Sequence, residues 1–308
     1  MKTTLASQVL LALSTGLALV TPSSAVDTVA ATVATTLTKA NAASGSAPYR
    51  ETVIRYFDRL GVKIVGGKPA RIADYPWQVS LGVSWIADPY QAHFCGGSVY
   101  SAGWIITAAH CVSQTAAKDI VITAGTDKLG QDGERRNVRR VIVNPSYDGQ
   151  SQDSDVALLE LMAPLPLGPA IQPISLMTAA EEANWSWQAQ PLSTVGWGAT
   201  REGGQPVRDL RFVPVGLVDR GSCNGALAYD GKITENMVCA GNSEGGQDSC
   251  QGDSGGPLSA SLAGKAKLLG VVSWGYGCAR PGLVGVYTRV PRFAAWADAC
   301  VAQSSSCQ

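Results

Sequence analysis

Histidine is scarce in this chain of 308 residues. The two histidines, His93 and His110, both precede the motif Gly252-Asp253-Ser254-Gly255-Gly256. A serine between glycines in this pattern is typical of an exposed nucleophile on a tight turn, and its hydroxyl needs a base, usually histidine. In α/β-hydrolases the histidine follows the serine, so the lack of a histidine after Ser254 excludes that class. The chain orders His, Asp, Ser and Asp, His, Ser both stay open.

Charge is also low. Only 16% of the residues are charged, and Lys plus Arg equals Asp plus Glu at 24 each, so the chain is formally neutral. This composition, with 34 glycines, favours a compact, loop-rich globular protein over a disordered one. The basic cluster Arg135, Arg136, Arg139 and Arg140 is interpreted as a solvated strand edge, and no nucleic-acid partner is expected.

Long apolar runs are missing as well, since none reaches the roughly 20 residues of a membrane span. The run at residues 9–20 follows Lys2 and precedes small residues, which predicts a signal peptide over residues 1–25. Residues 26–63 are interpreted as a pro-segment rather than part of a core, with a flexible linker as the alternative. We therefore expect a secreted, extracellular protein with no membrane partner.

The eight cysteines of an exported chain imply disulfides, although the residues alone leave 105 pairings open. No C-x-x-C pair occurs, which weighs against a structural zinc site.

From residue 64 onward, short apolar runs alternate with turn residues. The runs are residues 77–81, 104–109, 120–124, 138–143, 156–161, 268–274 and 284–290. Their length and β-branched composition predict antiparallel strands in a sandwich or barrel and argue against a doubly wound α/β fold. Residues 291–298 begin with a proline and predict one C-terminal helix.

Seven motifs, in order and spacing, identify a family. They are Ile64-Val65-Gly66-Gly67, Phe94-Cys95-Gly96-Gly97-Ser98, Thr107-Ala108-Ala109-His110-Cys111, Asp155-Val156-Ala157-Leu158-Leu159, Gly196-Trp197-Gly198, residues 248–257, and Ser273-Trp274-Gly275. With them, residues 64 to about 296 resemble the trypsin-like branch of the chymotrypsin family of serine proteases. The resemblance implies an all-β fold of two six-stranded antiparallel β-barrels with the active site between them. The first barrel is expected over residues 64–175, and the second, with the C-terminal helix, over residues 176–308.

The resemblance also implies the catalytic residues. It makes His110 the general base, Ser254 the nucleophile and Asp155 the residue that orients the imidazole. From the residues alone the aspartate is open, because Asp153 and Asp155 both precede an apolar run and would share one strand face. The family pattern selects Asp155. The backbone N–H groups of Gly252 and Ser254 are expected to form the oxyanion hole.

Substrate choice is implied by Asp248, six residues before the serine, at the expected floor of the primary specificity pocket. Gly275 and Gly285 are expected at its walls, and Ser273 and Trp274 are expected to bind substrate beside it. A carboxylate there pairs with a long cationic side chain. The expected partners are therefore polypeptides with Arg or Lys before the cut, together with protein protease inhibitors.

The resemblance also implies how the precursor is activated. A cut after Lys63 would free the amino group of Ile64, which in the family pairs with the aspartate before the serine, here Asp253. Lys63 suits a trypsin-like cutter, so both self-activation and activation by another protease stay open. In the precursor, His93 and Ser80 are expected to hold Asp253.

The disulfides implied by the resemblance are Cys95–Cys111, Cys223–Cys239 and Cys250–Cys278. Cys300 and Cys307 lie beyond the family pattern, and pairing with each other or with another chain stays open. Thr126 stands where the calcium-binding members have a glutamate, so no metal and no other cofactor is expected. The complete triad and pocket argue against a non-catalytic binding member of the family, so we expect an endopeptidase. We also expect it to be a monomer.

Overall fold

The computed structural model describes residues 45–58, 67–185, 192–200, 202–242, 244–245, 249–250, 252–278, 280–303 and 307. The predicted signal peptide, Lys63, Ile64 and Asp248 therefore lie outside the described residues.

Five of the six strands of the first barrel coincide with the predicted apolar runs, and the strand His93–Ser101 is the one without a run. The strands of this half are β1 (Lys68–Pro69), β2 (Gln78–Val83), β3 (His93–Ser101), β4 (Trp104–Thr107), β5 (Ile120–Ala124), β6 (Glu134–Val143) and β7 (Ala157–Leu161). Strands β2 to β7 close in the order β2-β3-β4-β7-β6-β5, with every pair antiparallel. β2, β4 and β5 are buried at every position, which explains why their sequences are continuous apolar runs rather than alternating ones.

The second barrel follows the same plan. Its half contains β8 (Ser175–Leu176), β9 (Leu192–Gly196), β10 (Arg211–Val218), β11 (Met237–Gly241), β12 (Pro257–Leu262), β13 (Lys265–Trp274) and β14 (Gly285–Arg289). The order β9-β10-β11-β14-β13-β12 closes because β12 pairs with β9. Two short strands extend this sheet, β1 beside β10 and β8 beside β13. The predicted fold of two six-stranded antiparallel barrels is confirmed.

Short helices connect the strands. They are α1 (Ala47–Asp58), α2 (Pro89–Ala92), α3 (Ala109–Val112), α4 (Ala179–Ala183), α5 (Arg220–Cys223) and α6 (Ala294–Ala302). The predicted C-terminal helix is present but begins later than expected, because Val290–Arg292 forms a 3-10 turn before it. Although α6 follows the second barrel, its buried side chains join the core of the first. None of the helices in the described ranges is long and apolar enough to cross a membrane.

Helix α1 corrects the interpretation of the pro-segment. That segment was expected to lie outside a core, yet Tyr49 is 3% exposed and Val53 is fully buried within the core of the first barrel. The two side chains are four residues apart and so lie on one face of the helix. The charged residues around them obscure this face in the sequence.

Four disulfides brace the described chain. They are Cys95–Cys111, Cys223–Cys239, Cys250–Cys278 and Cys300–Cys307. The first three are the pairs that the resemblance implies. The fourth joins the end of α6 to residue 307, which answers the question that the sequence left open for this pair.

Candidate active site

His110 and Asp155 form a hydrogen-bonded pair at the edge of the first barrel. Nδ1 of His110 lies 2.7 Å from Oδ2 of Asp155, and the backbone N–H of His110 donates to Oδ1 at 2.8 Å. Ser273 donates from the second barrel to Oδ2 at 2.5 Å. The carboxylate is fully buried and only accepts, so Nδ1 carries the proton of this bond. In the neutral imidazole Nε2 is therefore left as the basic atom.

The charge of Asp155 controls the basicity of His110. Burial by itself would lower the pKa of the imidazole, but the adjacent carboxylate and its hydrogen bond outweigh burial and raise this pKa above its usual value. The His110 side chain keeps 15% of its exposure, so a substrate can still reach it. The arrangement produces a base that is stronger than free histidine and held in one tautomer.

Asp153, the alternative to Asp155, is directed elsewhere. Its carboxylate accepts hydrogen bonds from Asn236 Nδ2 and Ser154 Oγ, both at 2.9 Å, and from Thr234. Ser154 has a φ of 55°, in the left-handed region, and residues 153–155 are not part of a strand. The expectation that the two aspartates share a strand face is therefore wrong, and the geometry itself places Asp155 at the histidine.

The Ser254 turn lies against the first barrel. The carbonyl of Ser254 accepts from the N–H of Gly96 in β3 at 2.8 Å. Within the described residues, the N–H groups of Gly252 and Ser254 donate to no other group. Gly252 has a φ of 94°, a conformation that favours glycine, and its N–H and that of Ser254 belong to one turn. Such a pair of N–H groups can bind an oxyanion.

The serine and histidine side chains are not yet joined. No hydrogen bond connects Ser254 Oγ with His110 Nε2 in the described part of the chain, and Nε2 lies 3.7 Å from Sγ of Cys111. Catalytic hydrogen bonds of this kind often tighten only when substrate binds. The sulfurs of Cys95 and Cys111 also lie near His110, but they are bonded to each other and offer no thiolate to a metal ion.

Asp253 is held by the second barrel. Its carboxylate accepts from the N–H of Gly198 at 2.9 Å and from the N–H of Cys250 at 3.0 Å. A Cβ atom at Gly196 or Gly198 would collide with this carboxylate. This explains the two glycines of the motif Gly196-Trp197-Gly198, because only glycine lets the backbone approach Asp253 so closely.

His93 binds the neighbouring residue, Gly252. Its Nε2 lies 3.0 Å from the carbonyl of Gly252, and its Nδ1 lies 2.8 Å from Oγ of Ser80. A carbonyl only accepts, so Nε2 donates and Ser80 donates to Nδ1. Burial lowers the pKa of His93 to about 3, with a further contribution from Arg55, so the ring is neutral at physiological pH. The expected contact of His93 with Asp253 is replaced by one that fixes the Gly252 peptide.

A cavity of about 220 Å³ opens next to Ser254. Ser273, Trp274, Gly275 and Gly285, the expected wall residues, line it. The Cys250–Cys278 disulfide lines it as well. The structure adds Ser249, which the sequence reasoning missed and whose hydroxyl lies 3.2 Å from that of Tyr287. Its position directly after Asp248, the expected floor of the pocket, is the sequence signal that could have predicted this.

Comparisons with known proteins agree with this geometry. The family model described as Trypsin matches residues 64–297. The chain is 40% identical over 238 residues to a trypsin of Phaedon cochleariae, covering 76% of this chain and 87% of that protein. It is 39% identical over 242 residues to trypsin-1 of Astacus astacus, covering 77% and 99%, and 40% identical over 226 residues to a trypsin of Simulium vittatum, covering 73% and 87%.

The family match spans both barrels, together with the histidine, aspartate and serine that the fold brings to their boundary. The chain therefore belongs to the trypsin family and is a serine endopeptidase that acts on polypeptides.

Proposed function

We propose that the chain is a secreted precursor whose processed form cuts polypeptides after Arg or Lys through a His110, Asp155 and Ser254 triad. The observation that carries this proposal is the buried, hydrogen-bonded pair of His110 and Asp155 beside a serine turn with two unengaged N–H groups. These are the groups that acyl transfer requires: a base, a residue that orients it, and donors for an oxyanion.

The mechanism follows from the atoms. Ser254 Oγ attacks the peptide carbonyl while Nε2 of His110 accepts its proton. The N–H groups of Gly252 and Ser254 bind the oxyanion, each contributing about 3–4 kcal/mol to transition-state stabilisation. His110 then protonates the leaving amine, and water hydrolyses the acyl-enzyme by the same steps. Asp155 keeps the imidazole in the right tautomer and stabilises its charged form.

Specificity for Arg or Lys rests on the cavity next to Ser254. Gly275 and Gly285 leave it open for a long side chain, and Ser249 adds a hydroxyl to its wall. Asp248 lies outside the described residues, but it is joined directly to Ser249 in the chain. We infer that its carboxylate binds the cationic end of the substrate side chain.

Activation is proposed to begin with cleavage after Lys63. Strand β1 pairs with β10, and Pro69 lies opposite Arg211, which in turn lies opposite Gly196. Gly196 borders the carboxylate of Asp253. Ile64 is five residues before Pro69, so its new amino group starts within reach of this carboxylate. The resulting ion pair would order the serine turn.

Secretion agrees with the cysteine chemistry. In the described chain all eight cysteines are in disulfides, which persist in oxidising compartments. We propose that the enzyme acts as a monomer outside the cell and that protein protease inhibitors bind its cleft.

One experiment tests the enzyme and its specificity together. We expect a fluorophosphonate to label the processed chain and to leave Ser254→Ala unlabelled, with Ser261→Ala in β12 as the matched control that still reacts. The labelled enzyme should hydrolyse Arg and Lys anilides, reject Phe and Tyr anilides, and be blocked by benzamidine. Labelling of Ser254→Ala would remove that serine from the mechanism, and a preference for Phe or Tyr would refute the specificity.

A further inference from the structure

Helix α1 of the pro-segment packs on the barrel that carries the base. It contacts β2, β3, α2 and α3 of the first barrel. Val53 is fully buried in this interface, and the ring of Tyr49 packs edge-on against Phe94, with the ring centroids 5.8 Å apart. A buried apolar contact of this kind persists without a covalent link between its two sides.

Hydrogen bonds fasten both ends of α1. Before the helix, Ser46 N–H donates to Thr115 Oγ1 at 2.8 Å and Ser46 Oγ donates to the carbonyl of Cys111 at 2.5 Å. Further along, Arg55 Nη2 donates to the carbonyl of His93 at 2.7 Å. The helix is thus bound to α3, which carries His110, and to the start of β3.

A second cavity, of about 330 Å³, lies beneath α1. Thr52 and Arg55 of the helix form part of one wall, and Pro206 and Gly252 lie among the other lining residues. Among the described residues, Ser254 lines both this cavity and the specificity pocket. With the side chain before the cut in the specificity pocket and the scissile bond at Ser254, the second cavity offers a place beside the serine for the residues after the cut.

We propose that the pro-segment stays bound through α1 after the cut at Lys63 and obstructs the side of the cleft that receives the residues after the scissile bond. This inference rests on the proposed function, since it requires cleavage of the precursor. The released segment is then an inhibitor that competes with long substrates. Small substrates that end at the scissile bond avoid α1.

The contact predicts how binding responds to substitution. Val53→Ala removes two methyl groups from a fully buried site, which is expected to weaken retention of the segment by about tenfold. Arg50→Ala is the matched control for retention, because the Arg50 guanidinium binds the carbonyl of Gly45 within the same segment and Arg50 lies outside the described lining of the second cavity. Both residues precede the cut, so the catalytic part has the same sequence in every variant.

The test uses the full-length chain, nicked after Lys63 with a trace of immobilised trypsin and verified by N-terminal sequencing. At micromolar concentration we expect the fragment that ends at Lys63 to co-elute with the catalytic part in gel filtration, and Val53→Ala to lose it. Activity is measured on an Arg anilide and on a peptide that continues four residues past its Arg. Dilution should raise specific activity on the peptide several-fold and leave activity on the anilide unchanged.

Separation of the fragment at micromolar concentration, or equal specific activity on the peptide at every dilution, would overturn the proposal. The dilution series of the unmodified chain decides this even if Val53→Ala fails to fold. A nicked chain that hydrolyses neither substrate overturns the proposed function instead. Co-elution needs no catalysis and still decides in that case whether α1 stays bound.

Discussion

Gly198→Ala is expected to disable the enzyme without unfolding it. The added Cβ would lie 2.5 and 2.6 Å from the two carboxylate oxygens of Asp253, whereas an ordinary contact is 3.4 Å or more. Because Cγ of this carboxylate would lie at only 2.4 Å, the carboxylate must move by about 1.0 Å, the difference between 3.4 and 2.4 Å. Asp253 lies between Gly252 and Ser254, so the proposed oxyanion donors move with it. A displacement near 1 Å at reacting groups costs about 10²-fold in rate, and the overpacking costs about 1–3 kcal/mol of stability.

The assay compares kcat for an Arg anilide with the number of titratable serines and with thermal unfolding. Gly103→Ala is the matched control, because a Cβ there meets nothing within 4 Å. We expect Gly198→Ala to retain a cooperative unfolding transition while kcat falls about 10²-fold, and Gly103→Ala to retain its rate. Full kcat in Gly198→Ala would show that the position of Asp253 does not control the serine turn.

Three further outcomes are expected. Only the neutral ring of His110 accepts a proton, so its raised pKa should place the acid limb of the kcat/KM pH profile above pH 6.5, the pKa of an unperturbed histidine. The Asp155→Asn variant should move this limb to lower pH and reduce kcat by about 10⁴-fold, as in the family's triad, and pH profiles of both enzymes measure this. Replacing Cys300 and Cys307 with serine opens a loop with a sequence separation of 7 and should cost about 2 kcal/mol in thermal unfolding of an inactive form. Lys63→Gln should leave a full-length, inactive precursor on gels and in anilide assays, and full activity without a new N-terminus would contradict the activation scheme.

The strands with continuous apolar runs could be predicted because such runs are local signals, whereas β3 and β9 to β12 match none of the runs. The run at residues 120–124 coincides with β5 (Ile120–Ala124), and the run at 156–161 differs from β7 (Ala157–Leu161) by one residue. Such runs are continuous because both faces of these strands are buried. The two-residue strand β1, by contrast, has almost no sequence pattern and depends on its pairing with β10.

The site was harder to predict wherever its contacts come from the other barrel. From the residues alone, Asp153 and Asp155 both stayed open, and the structure separates them through Asn236 and Thr234, which bind Asp153 from more than 80 residues away. The contact of His93 with Gly252 spans 159 residues. No periodicity or motif in one segment contains this information.

The burial of α1 was missed for a related reason. Its apolar face consists of few residues, Tyr49 and Val53 among them, within a charged segment that would expose them in isolation. Their partner surface, which includes Phe94, exists only after the first barrel has closed. Tertiary structure thus decided whether this segment belongs to the core.

Each barrel holds in place a proposed catalytic group of the other. Gly96 of the first barrel binds the carbonyl of Ser254, while Ser273 and Thr288 of the second bind the side chain and the carbonyl of Asp155. During translation the histidine and aspartate leave the ribosome long before the serine, and Thr288 emerges a further 34 residues after Ser254. A nascent or truncated chain therefore carries an incomplete site, and peptidase chemistry begins only after the two halves have docked.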